Sequence, residues 1–298
     1  MRRLAIVWIL LILTITACGS NASDSGKADP IILTSSTILA DITRHIAGDR
    51  QIVESLLPIG ADPHSYQPTP RDASMIVNSP LIIINGLGYE SSLQPLLDNI
   101  SDGKKIVEVS SSISPRKDAG DTQSVDPHVW LDPNLVILQV ENIRIALTQY
   151  DPQGEATYQT NADEYVRQLT QLDVWITQQV SQIPVNQRLL ITNHEAMGYF
   201  AERYGFSIAG SVLASFSTDA SPSAQQIAAL IDATKASGAR AIFVDTADNP
   251  ELAKQIADEA GVRVVDNLHL ESLTDGDPAE TYIDLMKYDV LQIVNALK

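Results

Sequence analysis

Residues 158–183 read YQTNADEYVRQLTQLDVWITQQVSQI and contain neither glycine nor proline. Apolar residues recur at Tyr158, Ala162, Tyr165, Leu169, Leu172, Ile176, Val180 and Ile183, in steps of three and four. That period predicts one continuous α-helix with a single apolar face. Gly154 and Pro184 punctuate its two ends. At about 1.5 Å per residue the helix is roughly 39 Å long, enough to run the height of a two-lobed protein.

Outward from this helix, short apolar runs alternate with helical stretches. On the amino-terminal side, strands are expected at 31–35, 52–57, 81–85 and 106–109, with helices at 38–47, 73–78 and 93–100. On the other side, strands are expected at 188–192, 207–213, 241–244 and 262–265, with helices at 196–204, 224–236, 250–260 and 279–297. Strand-then-helix alternation argues parallel sheets covered by helices. The expected fold class is therefore α/β, with two similar lobes of mostly parallel sheet joined by one long rigid helix. The boundaries read as an N-terminal lobe at 29–157, a linking helix at 158–183 and a C-terminal lobe at 184–298. One helix between lobes permits less opening than two or three flexible strands would.

The first residues bear on compartment. Arg2 and Arg3 precede an apolar run from Leu4 to Thr16. A bilayer-spanning helix needs about 20 apolar residues, so this run fits a signal peptide at 1–17 better than a span. Ile15-Thr16-Ala17-Cys18 resembles the lipobox of bacterial lipoproteins, in which the cysteine carries the lipids. Cys18 is the single cysteine of the chain, so no internal disulfide can form. Residues 18–28, rich in Ser, Asn, Asp and Gly, read as a lipidated flexible tether. The formal charge of −17 makes nucleic acid and anionic lipid headgroups poor partners.

Three of the five histidines lie in distinctive surroundings. His64 lies in Gly60-Ala61-Asp62-Pro63-His64-Ser65-Tyr66-Gln67-Pro68-Thr69-Pro70, a loop by its prolines and glycine. His128 lies in Asp126-Pro127-His128-Val129-Trp130-Leu131-Asp132-Pro133, and His194 directly follows the strand at 188–192. Ligands of open α/β sheets bind in crevices outside the carboxyl ends of strands. Two histidines of one lobe and one of the other can therefore converge across the cleft. Neutral imidazole suits zinc, copper, iron and nickel. Asp62, Asp126 and Asp132 stand beside these histidines, where they either orient imidazoles or serve as caps and turn formers. His45, within a helix, reads as structural or surface.

The three histidine segments, in this order, resemble those of the zinc- and manganese-binding proteins of bacterial ABC importers, and the lipobox and long helix match that family too. The resemblance covers essentially the whole chain after Cys18. It implies one metal ion between two lobes, with His64, His128 and His194 as three ligands. The family's fourth ligand is a carboxylate, usually aspartate, near the carboxyl terminus. Aligning Ser272-Leu273 and the downstream Thr281-Tyr282 and Met286-Lys287-Tyr288 puts Glu271 there, with Asp275 and His269 as rivals. The implied cargo is Zn2+, with Mn2+ or Fe2+ as alternatives. The implied partner is the importer's permease, and the implied place is outside the cytoplasm, on the membrane through Cys18, as a monomer. Cell adhesion is a second role that occurs in the family.

Two other classes compete with this reading. Three imidazoles on zinc could serve a hydrolase with Glu195 or Glu271 as general base, although no HExxH motif is present. A two-lobed carrier of an iron chelate or corrinoid would need a broad cleft with aromatic or arginine contacts, and aromatics are only 5% of the chain.

Overall fold

A computed structural model describes residues 30–99, 105–117 and 124–298. The expected signal peptide, Cys18 and the tether lie outside the described residues. The first lobe runs β1 (Ile31–Thr34), α1 (Thr37–Ala47), β2 (Ile52–Ser55), α2 (Pro70–Asn78), β3 (Leu81–Ile84), α3 (Gln94–Leu97), β4 (Lys105–Glu108) and α4 (Pro133–Tyr150). Next come α5 (Glu155–Val180), β5 (Leu189–Thr192), α6 (Gly198–Tyr204) and β6 (Ser207–Ser211). The chain closes with α7 (Ala224–Ser237), β7 (Ala241–Asp245), α8 (Glu251–Ala260), β8 (Arg263–Leu268) and α9 (Tyr282–Leu297).

Each lobe holds a four-stranded sheet, ordered β2-β1-β3-β4 in the first and β6-β5-β7-β8 in the second. Every pairing is parallel. The central strand β3, Leu-Ile-Ile-Ile, is buried throughout, as is β7. Unbroken apolar runs of this kind belong to parallel strands with both faces covered.

The linking helix begins three residues earlier than its apolar pattern and ends three earlier. Glu155, Ala156 and Thr157 are helical but exposed, so they carry no apolar signal. Beyond Val180 the backbone tightens, with Gln182 N donating to Gln179 O and Ile183 N to Val180 O. All eight periodic residues, Tyr158 to Ile183, are buried. Gly154 caps the start, and a Cβ there would stand 2.5 Å from the Tyr158 ring and 2.6 Å from Arg50 Nε. Asp151 just ahead of the helix accepts from Arg50 at 2.7 Å and from the Tyr158 hydroxyl at 2.7 Å, which ties this end to the first lobe. Near the far end, Asp173 accepts from Arg203 Nε at 2.9 Å and Tyr204 Oη at 3.0 Å of the second lobe.

The two sheets share one apolar core. It runs from Ile32 and Ile42 through Ile143, Tyr165, Leu169 and Ile176 to Phe243 and Ile293. Separate clusters cover the other faces, around Ile82 and Ile84 in the first lobe and Ile242 and Val244 in the second. Helix α9 crosses back to the first lobe, where Tyr282 N donates to Asp41 Oδ2 at 2.9 Å and its hydroxyl to Trp130 O at 2.6 Å.

Helix α4 has no counterpart among the sequence expectations. Asp132 caps it by accepting from Asn134 N, with Pro133 in its first turn. Its buried face carries Val136, Val140, Ile143 and Leu147, but Leu138 and Ile145 are apolar and exposed, which blurs the helical period. The short helix expected at 93–100 is a single turn, Gln94–Leu97.

Candidate metal centre

His64, His128, His194 and Glu271 meet in the cleft, each offering one ligand atom, and these atoms all lie within 4.8 Å of one another. Glu271 Oε1 is 3.1 Å from His128 Nε2, 3.3 Å from His194 Nε2 and 3.9 Å from His64 Nε2. The four residues are between 0% and 6% exposed. His64 Nε2 and both Glu271 carboxylate oxygens are buried without a hydrogen bond. Leaving such atoms unpaired costs about 1–3 kcal/mol each, more for a charged group.

Each side chain is aimed by its own loop. His64 leaves the carboxyl end of β2 on a turn that Asp62 closes, accepting from His64 N at 2.9 Å and Ser65 Oγ at 2.6 Å. His128 precedes α4, and Asp126 Oδ1 accepts from both its backbone N at 3.0 Å and its ring Nδ1 at 2.8 Å. That bond puts the ring proton on Nδ1 and turns the Nε2 lone pair to the cluster. His194 follows β5, with its Nδ1 3.5 Å from Asp248 Oδ2. Glu271 follows β8, and its backbone N donates to the buried Asp245 at 3.1 Å, as does that of Leu270. Every donor thus leaves the carboxyl side of a sheet or the loop before a helix, where such crevices form.

Among the neighbouring aspartates the roles separate. Asp126 reaches an imidazole, Asp62 holds the backbone of its turn, and Asp132 caps α4. His45 stacks on Tyr165 at 4.5 Å, outside the cluster. His269 turns its Nδ1 to Thr246 Oγ1 at 3.1 Å, and Asp275 lies in a groove with Asp41 and Arg44, so neither rival joins the four. Sequence reasoning missed Asp248 and Asp245. The available signal was acidic residues just past an apolar strand, at 245 and 248.

The electrostatics of the cluster favour an ion pair network. Burial works against charge on His194, but Asp248 and Glu271 outweigh it and raise its pKa to about 10. Burial likewise opposes charge on His128, and Glu271 with Asp126 still raises it. His64, with burial dominant, is lowered to about 4. Burial would raise Glu271, yet the imidazoles hold it well below the usual carboxylate range.

Asp126→Asn keeps the shape but offers a less basic partner to Nδ1. Metal affinity is expected to fall by about 10- to 100-fold, measured by chelator competition.

A two-lobed α/β protein with a buried His-carboxylate cluster between its lobes has the form of a metal-binding protein, and similarity to known proteins gives its class. The model of the periplasmic zinc-uptake complex component A family, ZnuA, matches residues 32–296, and the chain belongs to that family. Manganese-binding lipoprotein MntA of Halalkalibacterium halodurans is 34% identical, over 100% of this chain and 99% of its own. Iron-binding protein YfeA of Yersinia pestis is 32% identical, over 94% of this chain and 90% of its own. Among solved structures, the periplasmic zinc-binding protein TroA of Treponema pallidum superposes with a TM-score of 0.85 at 26% identity, covering 91% of this chain and 99% of its own. The chain is therefore a substrate-binding protein of a metal ABC transporter, a binding component and not an enzyme. No helix among the described residues is long and apolar enough to cross a membrane.

Proposed function

We propose that His64, His128, His194 and Glu271 capture one divalent transition-metal ion, which the chain hands to the permease of its importer. The observation that carries this reading is the convergence of three Nε2 atoms on a buried carboxylate with no hydrogen bond of its own. Zinc is the cargo we favour, because three imidazoles and one carboxylate form a tetrahedral set suited to it. The relatives named for manganese and iron make those ions the alternatives. Cys18 as the lipid anchor, and lobes at 29–157 and 184–298 about the linking helix, go with this reading. That several relatives are named lipoproteins supports the anchor.

The test is elemental analysis of the chelator-stripped chain after competitive reloading with zinc, manganese(II) and iron(II). One equivalent of zinc, lost in His64→Ala, is expected. One equivalent of manganese or iron would replace zinc as the cargo. No bound metal would discard the carrier reading in favour of a chelate ligand.

A further inference from the structure

Between β6 and α7 the chain forms a strap at 214–222, on the second lobe, that hangs over the side of the cluster where His64 lies. Glu195 N donates to Ser215 O at 2.9 Å, so the strap starts beside His194. It is then braced from within, Ser217 N donating to Ser215 Oγ at 3.0 Å and Asp219 N to Ser217 Oγ at 3.2 Å. Two openings flank it. One, of about 360 Å³, is lined by His64, Ser215 and Ser217. The other, of about 530 Å³, is lined by Asp62, Thr218 and Asp248.

The strap reaches the opposite lobe through Thr218, whose Oγ1 donates to Asp62 Oδ2 at 2.6 Å. That is short for a hydroxyl hydrogen bond. Asp62 is also the residue that shapes the turn presenting His64, through His64 N and Ser65 Oγ. Other cross-lobe hydrogen bonds lie elsewhere around the site. Beside His128, Tyr199 Oη donates to Asp126 O at 3.0 Å and accepts from Arg116 N at 3.0 Å. Two more lie beneath the cluster. There Ser272 Oγ accepts from Gly60 N at 2.8 Å, and Trp130 Nε1 donates to Leu270 O at 2.8 Å. Trp130 and Leu270 are buried in the common core, whereas Thr218 is half-buried and the strap packs on the second lobe's own cluster through Ala220. Letting go of Asp62 would merge the two openings and expose the side of the cluster that His64 closes.

We propose that Thr218 is a positioning residue: its hydrogen bond to Asp62 latches strap 214–222 across the cleft, steadies the His64 turn and sets the rate at which the ion leaves. The proposal rests on the metal-carrier reading above. Valine matches threonine in shape but has no hydroxyl, and in Thr218→Val the Asp62 oxygen keeps Ser65 as a donor, so the fold has little reason to fail.

The experiment loads the intact chain with one equivalent of zinc and follows its transfer to an excess of chromogenic chelator by stopped flow. Zinc release from Thr218→Val is expected to be about 10- to 100-fold faster, the range for one hydrogen bond to a charged group. Thr218→Ser should restore the slow rate. In an Asp62→Asn background, Thr218→Val should add little, because the pair acts as one unit. Equal release from Thr218→Val and the parent overturns the latch while leaving the metal site standing. Fast release from Thr218→Ser as well would assign the effect to packing and overturn it too. A parent chain that retains no zinc overturns the zinc reading, and the latch with it.

Discussion

Glu271→Gln is expected to lower metal affinity by more than about 100-fold, beyond the range that partners outside the ligand set produce. Glutamine keeps the volume and one carbonyl oxygen, so the packing around Trp130 and Leu270 survives. What it removes is the single formal negative charge among the four donors, and Oε1 is the atom that stands 3.1 Å and 3.3 Å from two imidazole nitrogens. The variant also removes one of the two carboxylates that favour the charged form of each of His128 and His194. Asp126 and Asp248 remain, so both imidazoles should hold their protons less tightly than in the parent. Isothermal titration with zinc, run on parent and variant, checks both statements. An affinity within tenfold of the parent would remove Glu271 from the ligand set.

The second large effect is on pH. A metal ion takes the lone pair of each Nε2, so an imidazolium must lose its proton before it binds. With a pKa of about 10, His194 is protonated in the metal-free cleft throughout pH 5 to 8. Displacing that one proton makes affinity fall tenfold for each unit of acidification, or about 1,000-fold from pH 8 to pH 5. His128, also raised, steepens the slope wherever it too is charged. Glu271, held low, stays ionised across the window and contributes no competing proton. For the metal-free fold the signs are opposite for two histidines. The raised pKa of His194 gives stability that is complete below its unfolded value, about 6.5, and lost as pH rises through about 10. The lowered pKa of His64 makes its contribution fade as pH falls from about 6.5 toward 4. Titrations in buffers of different ionisation enthalpy count the released protons directly. A flat affinity from pH 5 to 8 would contradict an imidazole site.

The architecture was legible where the physics is local. Tyr158 to Ile183 announces a helix because one face of it is apolar and nothing interrupts the backbone. Strands β3 and β7 announce themselves as short apolar runs. Helix α4 was hidden because its solvent face carries Leu138 and Ile145, so no period stands out, and because Asp132-Pro133 reads equally well as a loop. For the site, residue type marked the three histidines as candidates, but only resemblance singled out Glu271 over Asp275 and His269. Convergence is a long-range property: 64, 128, 194 and 271 become neighbours through sheet order and a shared core, which no window of sequence contains. Asp248 and Asp245 escaped for the same reason, since their partners lie in loops 54 and 25 or 26 residues away.

The linking helix has a calorimetric consequence. It is gripped by Arg50, Asp151 and Tyr158 at one end and by Arg203 and Tyr204 near the other, with its buried face in the core that both sheets share. Swinging one lobe against the other would have to shear that core, so an arriving ion is expected to move loops alone and to cover little fresh apolar surface. The heat capacity of a binding reaction tracks the apolar surface it removes from water. The enthalpy of metal binding by this chain should therefore stay nearly constant as the temperature is raised.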